Sequence, residues 1–175
     1  ADPVRLPSDP LAAPPPAPTV TLAARGAGDQ DDMCVWVHPT DPGRSVVIAS
    51  DKQAGRLFVY DLDGKLLQAV AVKPPGNIDL RYGFPLGGAK ADIAAVNLRD
   101  DRRLAVFRVD PATRTLARVD DGAIATGENY GGCLFRSPKT GTFYAVTTSY
   151  SGAVSQFELA DDGAGKVRGK RVRGW

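Results

Sequence analysis

The chain carries CVWVHP at 34–39, VVIAS at 46–50 and RLFVYDLDGK at 56–65, and this series returns twice. LRYGFP at 80–85, DIAAV at 92–96 and LAVFRVDPATR at 104–114 make the second copy. CLFRSP at 133–138, FYAVTTS at 143–149 and AVSQFELADDGAGK at 153–166 make the third. Tyr60, Phe107 and Phe157 hold the same place in each copy, with an acidic, turn-rich tail behind them. A period of about 47–51 residues assembled from short strands is the mark of propeller blades. Three blades cannot close a ring, which needs at least about four.

Working outward, HPTDPGRS at 38–45 and SPKTGT at 137–142 are Pro/Gly/Asp turns. DLDG, VDPATR and ADDGAGK supply the matching hairpin signals. A fourth strand follows in each copy: LLQAVAV at 66–72, TLARVDD at 115–121 and KVRGKRV at 166–172. Residues 46–50 are apolar on both faces, as a strand packed between neighbouring blades must be. No long helical periodicity competes, so the predicted class is all-β. A β-sandwich also uses short, regularly spaced strands, but the long internal repeat argues against it. The expected organisation is a Pro/Ala-rich leader at 1–18 and a partial propeller at 19–175. Its blades fall at about 29–76, 77–127 and 128–175. TVTLA at 19–23 alternates and is expected to form a strand.

A net charge of +2 gives no footprint for nucleic acid, and none is expected as a partner. The basic residues are scattered except in KVRGKRVRGW at 166–175, where they alternate with Val and Gly as on an exposed strand edge. No apolar run reaches the roughly 18 residues of a membrane span. The chain starts without Met or an apolar signal core and reads as a mature or excised piece. Cys34 and Cys133 begin the first strands of copies one and three, and are expected as small, buried, unpaired residues of the blade interiors. Thr40 and Lys139 stand at the sixth position after them, where an anion-cradling cysteine loop would need arginine.

The single histidine, His38, lies in a turn before Pro39 and reads as structural. No GxSxG elbow or Walker-type glycine loop is present, and no catalytic nucleophile can be named. What remains is acidic and cationic. Asp29, Asp31 and Asp32 precede the first strand, and Asn77 and Asp79 enter the second copy at GNIDLRYGF. Carboxylates clustered in a loop suit calcium; they equally make a solvated acidic turn. Lys52 and Arg99 follow the second strands of copies one and two, and Tyr150 takes that step in copy three. Cations at one register point either to a shared anion site or to ordinary surface charge.

DQDDMCVWVHP, PPGNIDLRYGFPL, KADIAAVNLR, YGGCLFRSPKTGTFYAV and QFELADDGAGKVRGKRVR occur in that order between about residue 29 and residue 173. They resemble five ordered motifs of the β-propeller phytases, calcium-dependent phosphatases acting on inositol hexakisphosphate. The resemblance implies a six-bladed ring of which this chain is the N-terminal half, closed by a missing C-terminal half or a second chain. It implies Ca2+ as cofactor and inositol hexakisphosphate or another phosphomonoester as substrate. Asp31 and Asp32 match paired aspartates near the calcium sites, and Asp79 lies in a motif of the active face. Lys52, Arg99 and Tyr130 match residues that touch substrate phosphates. Secreted or periplasmic residence goes with the family. Three departures stand out: Gly28 in place of the first motif aspartate, Leu98 in place of Asn, and Tyr150 in place of a phosphate-binding lysine. The resemblance implies an active site only partly contained in this chain. The other reading is a non-catalytic, calcium-dependent propeller module holding an anionic ligand or a protein partner.

Overall fold

The computed structural model describes residues 17–22 and 24–175. They form three four-stranded antiparallel sheets, each a meander in chain order. The first contains β1 (Gln30–Trp36), β2 (Val46–Asp51), β3 (Arg56–Asp61) and β4 (Leu66–Ala71). The second contains β5 (Pro75–Leu86), β6 (Ala89–Leu98), β7 (Arg103–Asp110) and β8 (Thr115–Arg118). The third contains β9 (Gly132–Arg136), β10 (Phe143–Thr148), β11 (Val154–Asp161) and β12 (Val167–Gly174). The strand pairing repeats as the sequence does: Val47 faces Tyr60, Ala94 faces Phe107 and Ala145 faces Phe157. The class is all-β with blade-like sheets. Among the described residues the helical content is one 3-10 turn, Pro42–Arg44, capped by the Asp41 side chain.

Alternation along β6 explains the stacking. Ala94 and Val96 join Trp36, Val46, Ile48, Leu57 and Val59 in a core between the first and second sheets. Ile93 and Ala95 join Phe143, Ala145, Phe157, Leu159 and Val167 in a second core between the second and third sheets. The middle sheet is thus apolar on both faces. Polar links fix its angle to the first sheet. The Trp36 Nε1–H donates to Asp92 Oδ2 at 2.8 Å. His38 is buried, and its Nδ1 accepts from the amides of Thr40 (3.3 Å) and Asp41 (3.1 Å). That leaves Nε2 to carry the proton donated to the Pro111 carbonyl at 3.1 Å, across to the second sheet's β7–β8 turn. The structural role expected of His38 is the one the fold gives it.

The strand expected at 19–23 is corrected. Residues 19–22 form no strand, and Ala23 lies outside the described residues. Leu22 and Ala24 instead lie over the outer face of the first sheet, against Phe58 and Tyr60. The segment crosses a sheet face and the β3–β4 turn, where a Cβ on Gly64 would sit 2.9 Å from Val20, so its amides have no ladder to join. The leader expected at 1–18 falls outside the described residues, save Ala17 and Pro18.

Of the cysteines, both free, Cys34 is half-buried against the first core but Cys133 is exposed. Cys34 pairs with Ile48 and Cys133 with Val146, equivalent positions in the repeat. The second sheet covers that face of the first sheet; nothing described covers it on the third.

That uncovered face carries Cys133, half-buried Tyr144 and Val146, and Phe135, which is 45% exposed with its ring 6.3 Å from that of Tyr144. An aromatic patch beside unpaired strand edges promotes association. Light scattering of the 175-residue chain is expected to show dimers or larger species, and Phe135→Lys to shift them toward monomer. A clean wild-type monomer would contradict this account of the face.

Candidate functional site

Stacking three similar sheets brings their equivalent turns to one end. The β2–β3 turn supplies Lys52, the β6–β7 turn Arg99, Asp100 and Arg102, and the β10–β11 turn Tyr150. With Pro74, Glu128 and Asn129 they line a cleft of about 510 Å³. The shared register of Lys52 and Arg99 therefore becomes shared space. Arg99 is half-buried, its guanidinium carbon 4.5 Å from the Tyr130 ring centroid, and Tyr130 in turn lies 4.5 Å from Tyr150. This stack orients the guanidinium through the ring's π face. Its Nε–H is buried without a partner among the described residues, so donor capacity remains. Lys52 Nζ sits 2.5 Å from Asp31 Oδ2.

Two buried side chains, Asn97 and Asp51, support the cleft by hydrogen bonds to its loops. Asn97, wholly buried, donates from Nδ2 to Asn129 Oδ1 (2.7 Å) and the Tyr130 carbonyl (3.1 Å), positioning the loop that carries both residues. Gly76 must stay small there, since a Cβ would come 2.6 Å from Asn97 Nδ2. Asp51, also buried, accepts from the amides of Gly28 (2.8 Å), Asp29 (3.2 Å) and Ala54 (2.7 Å), tying the acidic loop to the Lys52 turn. Burial opposes its charge, yet these amides and that of Gln53 together hold its carboxyl below the ordinary value. At Gly28, a Cβ would meet the Gln53 side chain at 2.4 Å, so in this chain Gln53 occupies the room a larger residue would take.

The three aspartates expected as metal ligands separate. Asp31 pairs with Lys52 at the cleft. Asp32 accepts from the Met33 amide through Oδ1, and from Asn77 Nδ2 (2.9 Å) and the Ile78 amide (3.0 Å) through Oδ2, joining β1 to β5. Asp79 accepts from the Leu134 amide at 2.8 Å through Oδ2, and from the Leu80 amide (2.7 Å) and Arg81 (2.8 Å) through Oδ1. Arg81 also donates to the Leu134 carbonyl, so the pair grips Leu134 of β9 as a neighbouring strand would. Among the described residues no three His, Cys, Asp or Glu side chains gather to hold a metal ion. Calcium takes six to eight oxygens, so these residues do not by themselves fit it.

Nor does a thiol offer nucleophilic chemistry. Burial, with Asp79 and Asp32 adding, pushes the Cys34 thiol up to about 12, and at the exposed Cys133 partial desolvation and then Asp79 act in the same direction. The half-buried Cys34 thiol therefore stays protonated near neutrality. Sequence reasoning did not single out Arg102, Glu128, Asn129 or Asp51. Asp51 adjoins Lys52 in IASDK and Arg102 ends the turn RDDR at 99–102, but neither repeats between copies.

Comparison with known proteins gives a consistent result. The family model described as Phytase matches residues 15–175. The 3-phytase of Bacillus subtilis is 42% identical over 156 residues, covering 86% of this chain and 41% of that protein, so the chain spans well under half its relative's length. A solved structure described as a 6-phosphogluconolactonase of Bacteroides uniformis superposes with a TM-score of 0.54 at 16% identity. It covers 90% of this chain and 47% of that one, a likeness of fold alone.

The Asp79 geometry generates a direct test. Asp79→Ala strips the acceptor from the Leu134 amide and leaves Arg81 without its carboxylate. A loss of about 2–3 kcal/mol in stability is expected, whether or not calcium is present. Unchanged unfolding in urea would show that the Leu134 grip is dispensable.

Proposed function

The chain belongs to the phytase family, and from that premise we propose that its cleft holds phosphate groups for a phosphomonoesterase acting on inositol hexakisphosphate or a similar phosphomonoester. The observation that carries this reading is the meeting of Lys52 and Arg99, from successive blades, in one cleft. Phosphoryl transfer without a protein nucleophile rests on charge neutralisation and positioning. Arg99 suits a phosphate because its planar fork presents two parallel donors. Lys52 adds a compact charge, and Asp31 holds that ammonium in place until a phosphate displaces or shares it. Tyr130 contributes by fixing the Arg99 plane. The activation of water by calcium belongs to the family expectation, and the described residues do not by themselves fit the ion. Asp31 and Asp32, which begin β1 and do not precede it, are the carboxylates the family expectation sets near calcium, and Asp31 is the one that meets Lys52. Residence outside the cytoplasm, secreted or periplasmic, is part of the same proposal.

A second reading is favoured by one observation. Tyr150 occupies the cation register in the third blade, 66% exposed, and weakens the grip an enzyme would need. A non-catalytic module binding an anionic ligand with calcium would tolerate that loss. Inositol phosphate binding without turnover would mark it.

The test is phosphate release from inositol hexakisphosphate, calcium present, by the protein that contains this chain. Lys52→Ala and Arg99→Ala are each expected to raise KM about tenfold or more, the worth of one charge-assisted hydrogen bond, with little change in Tm. Absence of any phosphate release, or parallel loss of Tm and activity in both variants, would contradict the proposal.

A further inference from the structure

The cleft holds a third arginine whose backbone is in an unfavourable conformation. The last position of the β2–β3 turn is Gly55, with φ of 60°, and the β10–β11 turn has Gly152, with φ of 85°. In the β6–β7 turn the equivalent position is Arg102, which keeps φ at 53°. The pairing Asp51–Arg56 and Leu98–Arg103 on either side makes Gly55 and Arg102 equivalent. Left-handed backbone is free for glycine and strained for arginine, so the repeat's own solution has been replaced by a costlier one in the blade between. Arg114 takes the same conformation, with φ of 61°, in the β7–β8 turn outside the cleft, so it is the place of Arg102, and not the strain alone, that points to a use.

The surroundings indicate the use. The Arg102 amide donates to the Arg99 carbonyl at 3.2 Å, and its own carbonyl accepts from Thr126 at 2.9 Å. The backbone is therefore pinned on both sides while the exposed side chain lines the cleft. Asp100 and Glu128 line it too, yet among the described residues Arg102 makes no ion pair and its guanidinium no hydrogen bond. Lys52 is engaged by Asp31 and Arg99 lies on Tyr130, which makes Arg102 the uncommitted cation of the three. Facing it, the third blade offers Tyr150 at the step where the first two blades offer cations.

We propose that Arg102 is a phosphate contact of this cleft, supplying from the second blade the positive charge that Tyr150 does not supply from the third. The inference rests on the reading of the cleft as a phosphate site, and it makes Arg102 a determinant of which polyphosphate fits.

Calorimetric titration of the 175-residue chain with inositol hexakisphosphate at low salt tests it. Arg102→Gly relieves the strained φ, so Tm is expected to hold or rise while affinity falls by about fivefold or more, a charge-assisted contact being lost. Adding Tyr150→Lys to Arg102→Gly is expected to restore affinity to within about twofold of wild type, since the lost hydrogen-bonded charge is replaced. Wild-type affinity in Arg102→Gly, or weakened binding accompanied by a fall in Tm, would overturn the inference. Arg99→Ala separates the two levels. If it weakens binding while Arg102→Gly does not, only the role of Arg102 fails; if neither does, the cleft is not the phosphate site and both readings fall.

Discussion

Burial of the middle sheet on both faces governs the molecule. A strand with a wet side would alternate apolar and polar residues; β6 instead runs Ile93, Ala94, Ala95, Val96 without a polar interruption until Asn97. Two successive alanines let the flanking sheets approach, and Trp36, Phe107, Phe143 and Phe157 fill the space between. Face-to-face stacking of equivalent sheets leaves little freedom in how their ends align. The β2–β3, β6–β7 and β10–β11 turns must share one end, and a cleft between them follows from the repeat.

Acidic groups of the three sheets do two kinds of work. Asp51, Asp79 and Asp92 are fastened to backbone amides or to Trp36, and they hold loops and adjacent sheets in register. Asp31 alone among those expected as ligands meets a cation of the cleft. Buried carboxylates that accept several amides are costly to remove and add little to ligand capture. A motif aspartate can therefore be indispensable to the fold without touching a substrate. Cys34 makes the same point from the other side, since its burial, with Asp79 and Asp32 adding, keeps its thiol protonated.

Much of this was legible in the sequence. Tyr60, Phe107 and Phe157 marked the blade register, and the same residues pair with Val47, Ala94 and Ala145 in space. Lys52 and Arg99 were found because they repeat at one step. Arg102 and Glu128 were not, because a residue that breaks the repeat carries no periodic signal. The strand expected at 19–23 failed because alternation says nothing about whether a partner edge is free. Cys133 was placed inside by analogy with Cys34, although burial there depends on a neighbouring sheet that only Cys34 has.

The most direct test is an amide NMR titration of the 175-residue chain with inositol hexakisphosphate, with and without calcium. The account predicts that the largest shifts fall on the turns at 52–55, 99–102 and 149–153 and on the loop around Asn129 and Tyr130. Shifts confined to β12, where Arg168, Lys170, Arg171 and Arg173 form the competing basic strand, would show charge attraction at an edge and contradict the cleft as the phosphate site.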